Sequence, residues 1–273
     1  MLPLKKKMRL AVGDLSTAWK RFFPGQSNGF RVLVYHSITD TTQTGDMEET
    51  TTPRDLFSEH MGYLRSRNYH IVSLEQAADC LVQGRPIPDR AVAVTFDDGF
   101  QDNYANAFPV LAEKRIPATI FVTADYLRDV SNNATYLSLA ELQEMTASGL
   151  IHIGCHTMTH RILTGLSKKG LHYEIEEAKN RLQDLTGQSV SLFAYPFGHS
   201  KSYNKEIIEK VRKAGFTAAC IGISGLNDHR TDRFEIRRNR ISWLDSLCEF
   251  EKHMKGATDW SAKFEFLRQK RTA

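Results

Sequence analysis

Asp97 and Asp98 stand side by side in "AVAVTFDDGF", where an apolar run ends and a glycine follows. Adjacent carboxylates at the mouth of a buried strand repel each other, and they are tolerated only beside a cation or with a raised pKa. His156 and His160 in "CHTMTH" are four residues apart, which on a helical turn places both imidazoles on one side and suits a shared metal. Alone this pair is a weak signal: the chain has ten histidines, and His152 with His156 repeats the spacing. His152 lies inside an apolar run and reads as a structural histidine. With one aspartate added, His156 and His160 form a set of two histidines and one carboxylate that leaves positions for water and substrate, as a hydrolytic metal site requires. Zinc is the default occupant, although other divalent ions accept the same ligands. The second aspartate, beside the cation, can take a proton from water as a general base. A calcium loop does not fit, because Gly99 is the third residue from Asp97 rather than the sixth and no bidentate glutamate follows at the right distance.

These residues need elements that bring them together. "RVLVYH" (31–36), "HIVS" (70–73), "AVAVTF" (91–96), "ATIFV" (118–122), "LIHIG" (150–154), "SLFAYP" (191–196), "FTAACI" (216–221) and "EIRRNRI" (235–241) read as strands. Amphipathic intervals between them read as helices. One opens at Thr52-Pro53 with a cap and a proline at its first position, Ser73 to Gln76 and Ser138 to Glu141 have capping-box spacing, and one helix runs from about Leu171 to Thr186 and stops at Gly187. Strand followed by helix, repeated without a fixed period, predicts a parallel sheet covered by helices. A closed or nearly closed (β/α) barrel is the first expectation, and an open doubly wound sheet the second. In a barrel, catalytic groups sit where strands end, and His36, Asp97, Asp98, His156, His160 and the "YPFG" turn at 195–198 all do so. The polar loops 40–53 and 129–136 are expected at the rim of the same site.

The balance of 36 basic and 32 acidic residues among 273 gives a net charge of +4, too mild to imply a nucleic-acid partner, and none is assigned. Four separated cysteines form no zinc ribbon or disulfide framework, and they suit reduced thiols in a cytosolic protein. Cys155, next to His156, reads as a buried filler; Trp243 and Trp260 read as packing residues. The N-terminal "MLPLKKKMRLAVGDLSTAWKRFFPG" lacks the apolar length of a secretory signal. Its basic and aromatic residues admit two readings, an interfacial helix on an anionic membrane or a helix packed on its own domain.

"TFDDG" (95–99), "HTMTH" (156–160) and "YPFG" (195–198), in this order, resemble the polysaccharide deacetylase family, also called the NodB-homology domain. The resemblance spans roughly residues 31–242. It implies a distorted, TIM-like (β/α) barrel of about seven parallel strands, with residues 1–30 and 243–273 as extensions, and a metal-dependent hydrolase that deacetylates sugars. It implies Asp97 as general base, Asp98, His156 and His160 as ligands of a divalent metal, and the backbone N–H of Tyr195 in the oxyanion hole. Ala194 stands where family members commonly carry an arginine that orients the base, and Arg240 of "RRNR" is expected to supply that charge. "VLVYHSI" (32–38) is similar to the early motif of the permuted branch that deacetylates poly-N-acetylglucosamine, which makes His36 the general acid.

The expected reaction is removal of N-acetyl groups from amino sugars of a polysaccharide or lipid-linked precursor, with His36 charged and Asp97 ionised and a bell-shaped pH dependence. A deformylase acting on a lipid-linked amino sugar and an inactive glycan-binding barrel are the alternatives. The expected location is cytoplasmic, peripheral to the inner membrane if the N-terminal segment touches lipid.

Overall fold

The computed structural model describes residues 29–40, 50–127, 135–257 and 259. The main sheet contains β1 (Phe30–Tyr35), β4 (His70–Ile71), β5 (Ala91–Phe96), β6 (Ala118–Val122), β7 (Ile151–Cys155), β8 (Leu192–Ala194), β9 (Ala218–Cys220) and β10 (Asn239–Arg240), while β2 (Ser37–Ile38) and β3 (Thr51–Thr52) pair separately. The order across it is β10, β1, β5, β6, β7, β8, β9, with every pairing parallel. β1 takes one whole edge of β5, from Phe30 opposite Ala91 to Tyr35 opposite Phe96. The other edge is shared: β4 pairs at Ala91 and Val92, and β6 at Val94 to Phe96.

Seven parallel strands curl through 243°, so the expected barrel is present in distorted form. Its seam is bridged by one short stretch. Ile236 bridges to Cys220 of β9, the N–H of Arg238 donates to Ile223 O at 3.1 Å, and Asn239 and Arg240 then pair with Leu33 and Val34 of β1. Asn227 adds a further tie, exchanging backbone hydrogen bonds of 2.8 and 2.9 Å with Phe30.

The strands are apolar nearly throughout because both faces are buried. Outward residues such as Leu33, Val92, Val94, Ile120 and Ile153 pack against the helices, while Phe30, Val32, Ala91, Ala93, Phe121, Leu192, Ala194, Ala218 and Cys220 fill the interior. Small interior side chains give Phe121 its room. A Cβ on Gly154 would lie 2.3 Å from the Phe121 ring, so only glycine fits at that level of β7.

Helix α1 (Arg54–Ser66) begins one residue later than expected: Pro53 is its cap, because the carbonyl of Thr52 in β3 accepts the N–H of Thr39 at 3.1 Å. Both capping boxes form, at Ser73 on α2 (Leu74–Gln83) and at Ser138 on α4 (Leu139–Ala147), the latter following α3 (Phe108–Lys114). The helix expected over 171–186 is three pieces: α5 (Lys168–His172), a π-helical turn (Tyr173–Glu177) and α6 (Ala178–Thr186), ended by left-handed Gly187 as expected. A second π-helical turn, Asn103–Ala107, leads into α3. Helix α7 (Lys205–Lys213) precedes β9, and α8 (Leu247–Met254) packs on α1 with Phe250 stacked 4.1 Å from His60. Among the described residues no helix is long and apolar enough to cross a membrane. The N-terminal basic segment, Trp260 and most of the two rim loops lie outside the described residues.

Candidate active site

Along β5, Ala91, Ala93 and Thr95 face inward, and Asp97 continues that side one step past the strand, its N–H still in the ladder to Tyr35 O at 3.0 Å. Asp98 then adopts a left-handed backbone (φ 71) and Gly99 another (φ 75), which turns the Asp98 carboxylate across the barrel mouth. On β7 the same alternation brings His156 to the mouth, its N–H bound to Val122 O at 2.9 Å.

His156 and His160 meet through a loop, which corrects the expected helical turn: Thr157 (φ 66) and His160 (φ 58) are both left-handed. Their Nε2 atoms lie 3.6 and 3.4 Å from Asp98 Oδ1. One ligand atom from each of Asp98, His156 and His160 falls within a 4.8 Å span. Asp98 Oδ1 is itself buried without a hydrogen-bond partner, an orphaned acceptor aimed at two imidazoles. His156 Nδ1 donates to Ala194 O at 2.8 Å, so its Nε2 presents a lone pair to the site. Burial, then repulsion from Asp97, pushes the Asp98 carboxyl up to about 7, and burial holds His156 down at about 3. A carboxylate short of positive charge beside two neutral imidazoles is the donor set that a divalent cation satisfies.

Asp97 is held differently. Arg238 donates from Nη1 to Oδ1 at 2.6 Å and from Nη2 to Oδ2 at 2.8 Å, with both side chains 5% exposed or less. Burial alone would raise the Asp97 pKa, but Arg238 and then His156 hold it well below the usual carboxylate range. The expected partner, Arg240, is therefore replaced by Arg238, and register explains why. Arg240 pairs with Val34, which pairs with Thr95, so its Cα starts only two residues below Asp97. At that level Arg240 is exposed. Arg238, two residues or about 6–7 Å lower, reaches the carboxylate across Phe121, its guanidinium carbon 5.3 Å from the ring centroid. Ala194 leaves space on the opposite wall, so the missing arginine is supplied from the seam.

His36 follows β1 into the mouth, with Nδ1 buried and unpartnered. Burial lowers its pKa to about 4, Asp97 opposing and Arg240 and Arg238 assisting. Tyr195 is also corrected. Its N–H donates to Cys220 O at 3.1 Å as part of the β8 ladder and is not available to a substrate. Pro196 has no N–H, and that of Gly198 goes to Pro196 O at 2.7 Å. The uncommitted donor of this turn is Phe197, left-handed (φ 62) with its ring 49% exposed and 5.0 Å from that of His160.

Seven described non-glycine residues have positive φ, and four of them, Asp98, Thr157, His160 and Phe197, are at this mouth. Such strain, about 1–3 kcal/mol each, concentrates where function requires a fixed geometry. His152 is not part of the constellation; its Nδ1 lies 3.9 Å from Glu75 Oε2. Burial pushes the Cys155 thiol up to about 12, so it remains a neutral filler. Tyr126 and Tyr136, with ring centroids 4.3 Å apart, lie near enough for the Asp98 charge to raise their pKa values alongside burial.

A family model described as Polysaccharide deacetylase matches residues 84–219, which contain Asp97, Asp98, His156 and His160; His36 and Arg238 flank the match on either side. The Bacillus subtilis protein YxkH is 28% identical over 211 residues, covering 77% of this chain and 71% of that protein. The poly-beta-1,6-N-acetyl-D-glucosamine N-deacetylase of Staphylococcus epidermidis is 28% identical over 168 residues, 58% of this chain and 57% of the enzyme's length. The solved structure of IcaB from Ammonifex degensii superposes with a TM-score of 0.72 at 26% identity, over 85% of this chain and 98% of that one. With the barrel, the ordered motifs and these relatives in agreement, the chain belongs to the polysaccharide deacetylase family.

Proposed function

We propose that this protein is a metal-dependent hydrolase that removes N-acetyl groups from a poly-N-acetylglucosamine-like polymer, through Asp98, His156 and His160 as ligands and Asp97 as base. The observation that carries this reading is the buried, unpartnered Asp98 Oδ1 between two imidazole nitrogens, beside a second carboxylate held ionised by Arg238. The polymer class rests on likeness to the staphylococcal enzyme, whose length the chain only partly spans.

A divalent cation bound there, zinc being the first choice for two imidazoles and a carboxylate, would activate a water and polarise the acetyl carbonyl. Asp97 accepts the proton of the attacking water. Arg238 makes that carboxylate a weak base, so the proton does not remain on it. His36, at the same mouth, is the acid that protonates the departing amine. The N–H of Phe197 donates to the acetyl oxygen as negative charge develops on it.

The test is acetate and formate release by the metal-loaded protein from N-acylated glucosamine polymers and from lipid-linked amino sugars, with Asp97→Asn run in parallel. Acetate from the polymer, reduced by 10²-fold or more in the variant while bound metal is retained, is the expected result. Formate alone would establish a deformylase. Neither product from a stoichiometrically metal-loaded protein would reduce the chain to a glycan-binding barrel.

A further inference from the structure

The loop between the two histidine ligands is held by a side chain from a different element. Glu174 is 2% exposed. Its Oε2 accepts the N–H groups of Met158 at 3.1 Å and Thr159 at 2.9 Å, and its Oε1 accepts the Thr159 hydroxyl at 2.5 Å. Three further groups of the loop are also taken: the His160 N–H donates to Thr157 Oγ1 at 3.0 Å, and the carbonyls of Thr157 and Met158 accept from Ala124 at 3.0 Å and Asp125 at 2.9 Å. Without Glu174, two N–H groups next to left-handed His160 would lose their acceptors. Glu174 lies in the π-helical turn Tyr173–Glu177, where the wider winding changes the direction of a side chain relative to a continuous α-helix.

We propose that Glu174 is a positioning residue for the metal ligands: its carboxylate holds the Met158–Thr159 peptide groups so that His160 Nε2 faces Asp98, and the π turn aims it there. The proposal rests on the metal-site reading above. Residues that orient ligands without touching the metal typically contribute 10–100-fold to metal affinity, whereas a residue that only packs the fold changes stability and leaves the affinity of the folded protein alone.

The experiment measures the zinc dissociation constant by competition with a chromophoric chelator for wild type, Glu174→Ala, Glu174→Gln and Glu174→Asp. All are measured well below the melting temperature of each metal-free protein. Glu174→Ala is expected to weaken zinc 10–100-fold, and Glu174→Gln, which keeps one acceptor for the two N–H groups, to recover most of the loss. Should the alanine variant fail to fold, Glu174→Asp, one methylene too short, carries the same expectation of weakened zinc. Affinities within twofold of wild type in every folded variant overturn the proposal, whatever happens to melting. A wild type that binds no zinc overturns the metal-site reading first, and the proposal with it.

Discussion

Replacing Arg238 with Met removes the guanidinium while keeping much of the aliphatic stem that crosses Phe121. Asp97 is then left buried and unpaired, and breaking a buried pair from one side costs about 3–5 kcal/mol. At roughly 2–4 °C per kcal/mol for a chain of this size, melting should fall by about 6–20 °C. The pH dependence identifies the cause. In the wild type the depressed Asp97 pKa contributes stability that is present above the unfolded value near 3.8 and is lost as pH falls through the lower folded value. In the variant, burial is opposed only by His156 and His36, so the Asp97 pKa rises and the stability it contributes above about pH 4 is reduced or reversed. The gap between the two proteins must therefore widen from acid toward neutral pH. Turnover falls as well, tenfold for each unit by which the Asp97 pKa exceeds the assay pH. Thermal unfolding of wild type, Arg238→Met, Asp97→Asn and the double variant closes a cycle in which the double loses far less than the sum of the singles. Arg240→Met, at the exposed rim, should change stability by less than about 0.5 kcal/mol. Additivity within about 0.5 kcal/mol around the cycle, or an Arg240 variant as damaging as the Arg238 one, would refute the assignment.

Metal affinity should rise about tenfold per pH unit up to roughly 7 and then level off, because ligation must displace the proton that Asp98 keeps up to about 7 in the metal-free site; zinc titrations at pH 5 to 8 check this. Phe197→Gly should leave melting within about 1 kcal/mol of wild type, since relief of a left-handed backbone offsets the flexibility of glycine. The same variant should raise KM for the glycan several-fold with kcat kept, because the exposed ring is lost and the backbone N–H remains. Gly154→Ala should cost about 1–3 kcal/mol or more, with turnover falling as well, because the new Cβ drives Phe121 against Arg238; paired denaturant and acetate-release measurements test both effects.

The strands were legible because a parallel sheet buried on both faces writes itself as short β-branched runs, and "AVAVTF" and "ATIFV" coincide with β5 and β6. Both serine capping boxes were legible for a similar local reason, since the bonds join residues three apart. Asp98, His156 and His160 could be brought together because each follows a strand end. What the sequence did not reveal depends on depth and on bonds between distant residues. "RRNR" offers three arginines, and only the register with β1 and β5 shows which of them starts at the depth from which it meets Asp97. The loss of the Tyr195 N–H to Cys220 O is a pairing between strands and leaves no local trace. The π turn at 173–177 reads as ordinary helix, because its residues have ordinary helical character. Tyr126 and Tyr136, whose rings pack on each other, come from loops, where no periodicity marks them.

The stretch that bridges the barrel seam also sets a time of assembly. In a chain made from its N-terminus, His36, Asp97, Asp98, His156 and His160 all emerge before residues 236–241. Until then Asp97 faces the interior without its cation, and β1 and β9 present unpaired edges. Docking of that stretch supplies both the missing backbone partners and the guanidinium in one event. Closing the backbone seam and pairing Asp97 thus become one step of folding, because the stretch that completes the ladder also carries the guanidinium.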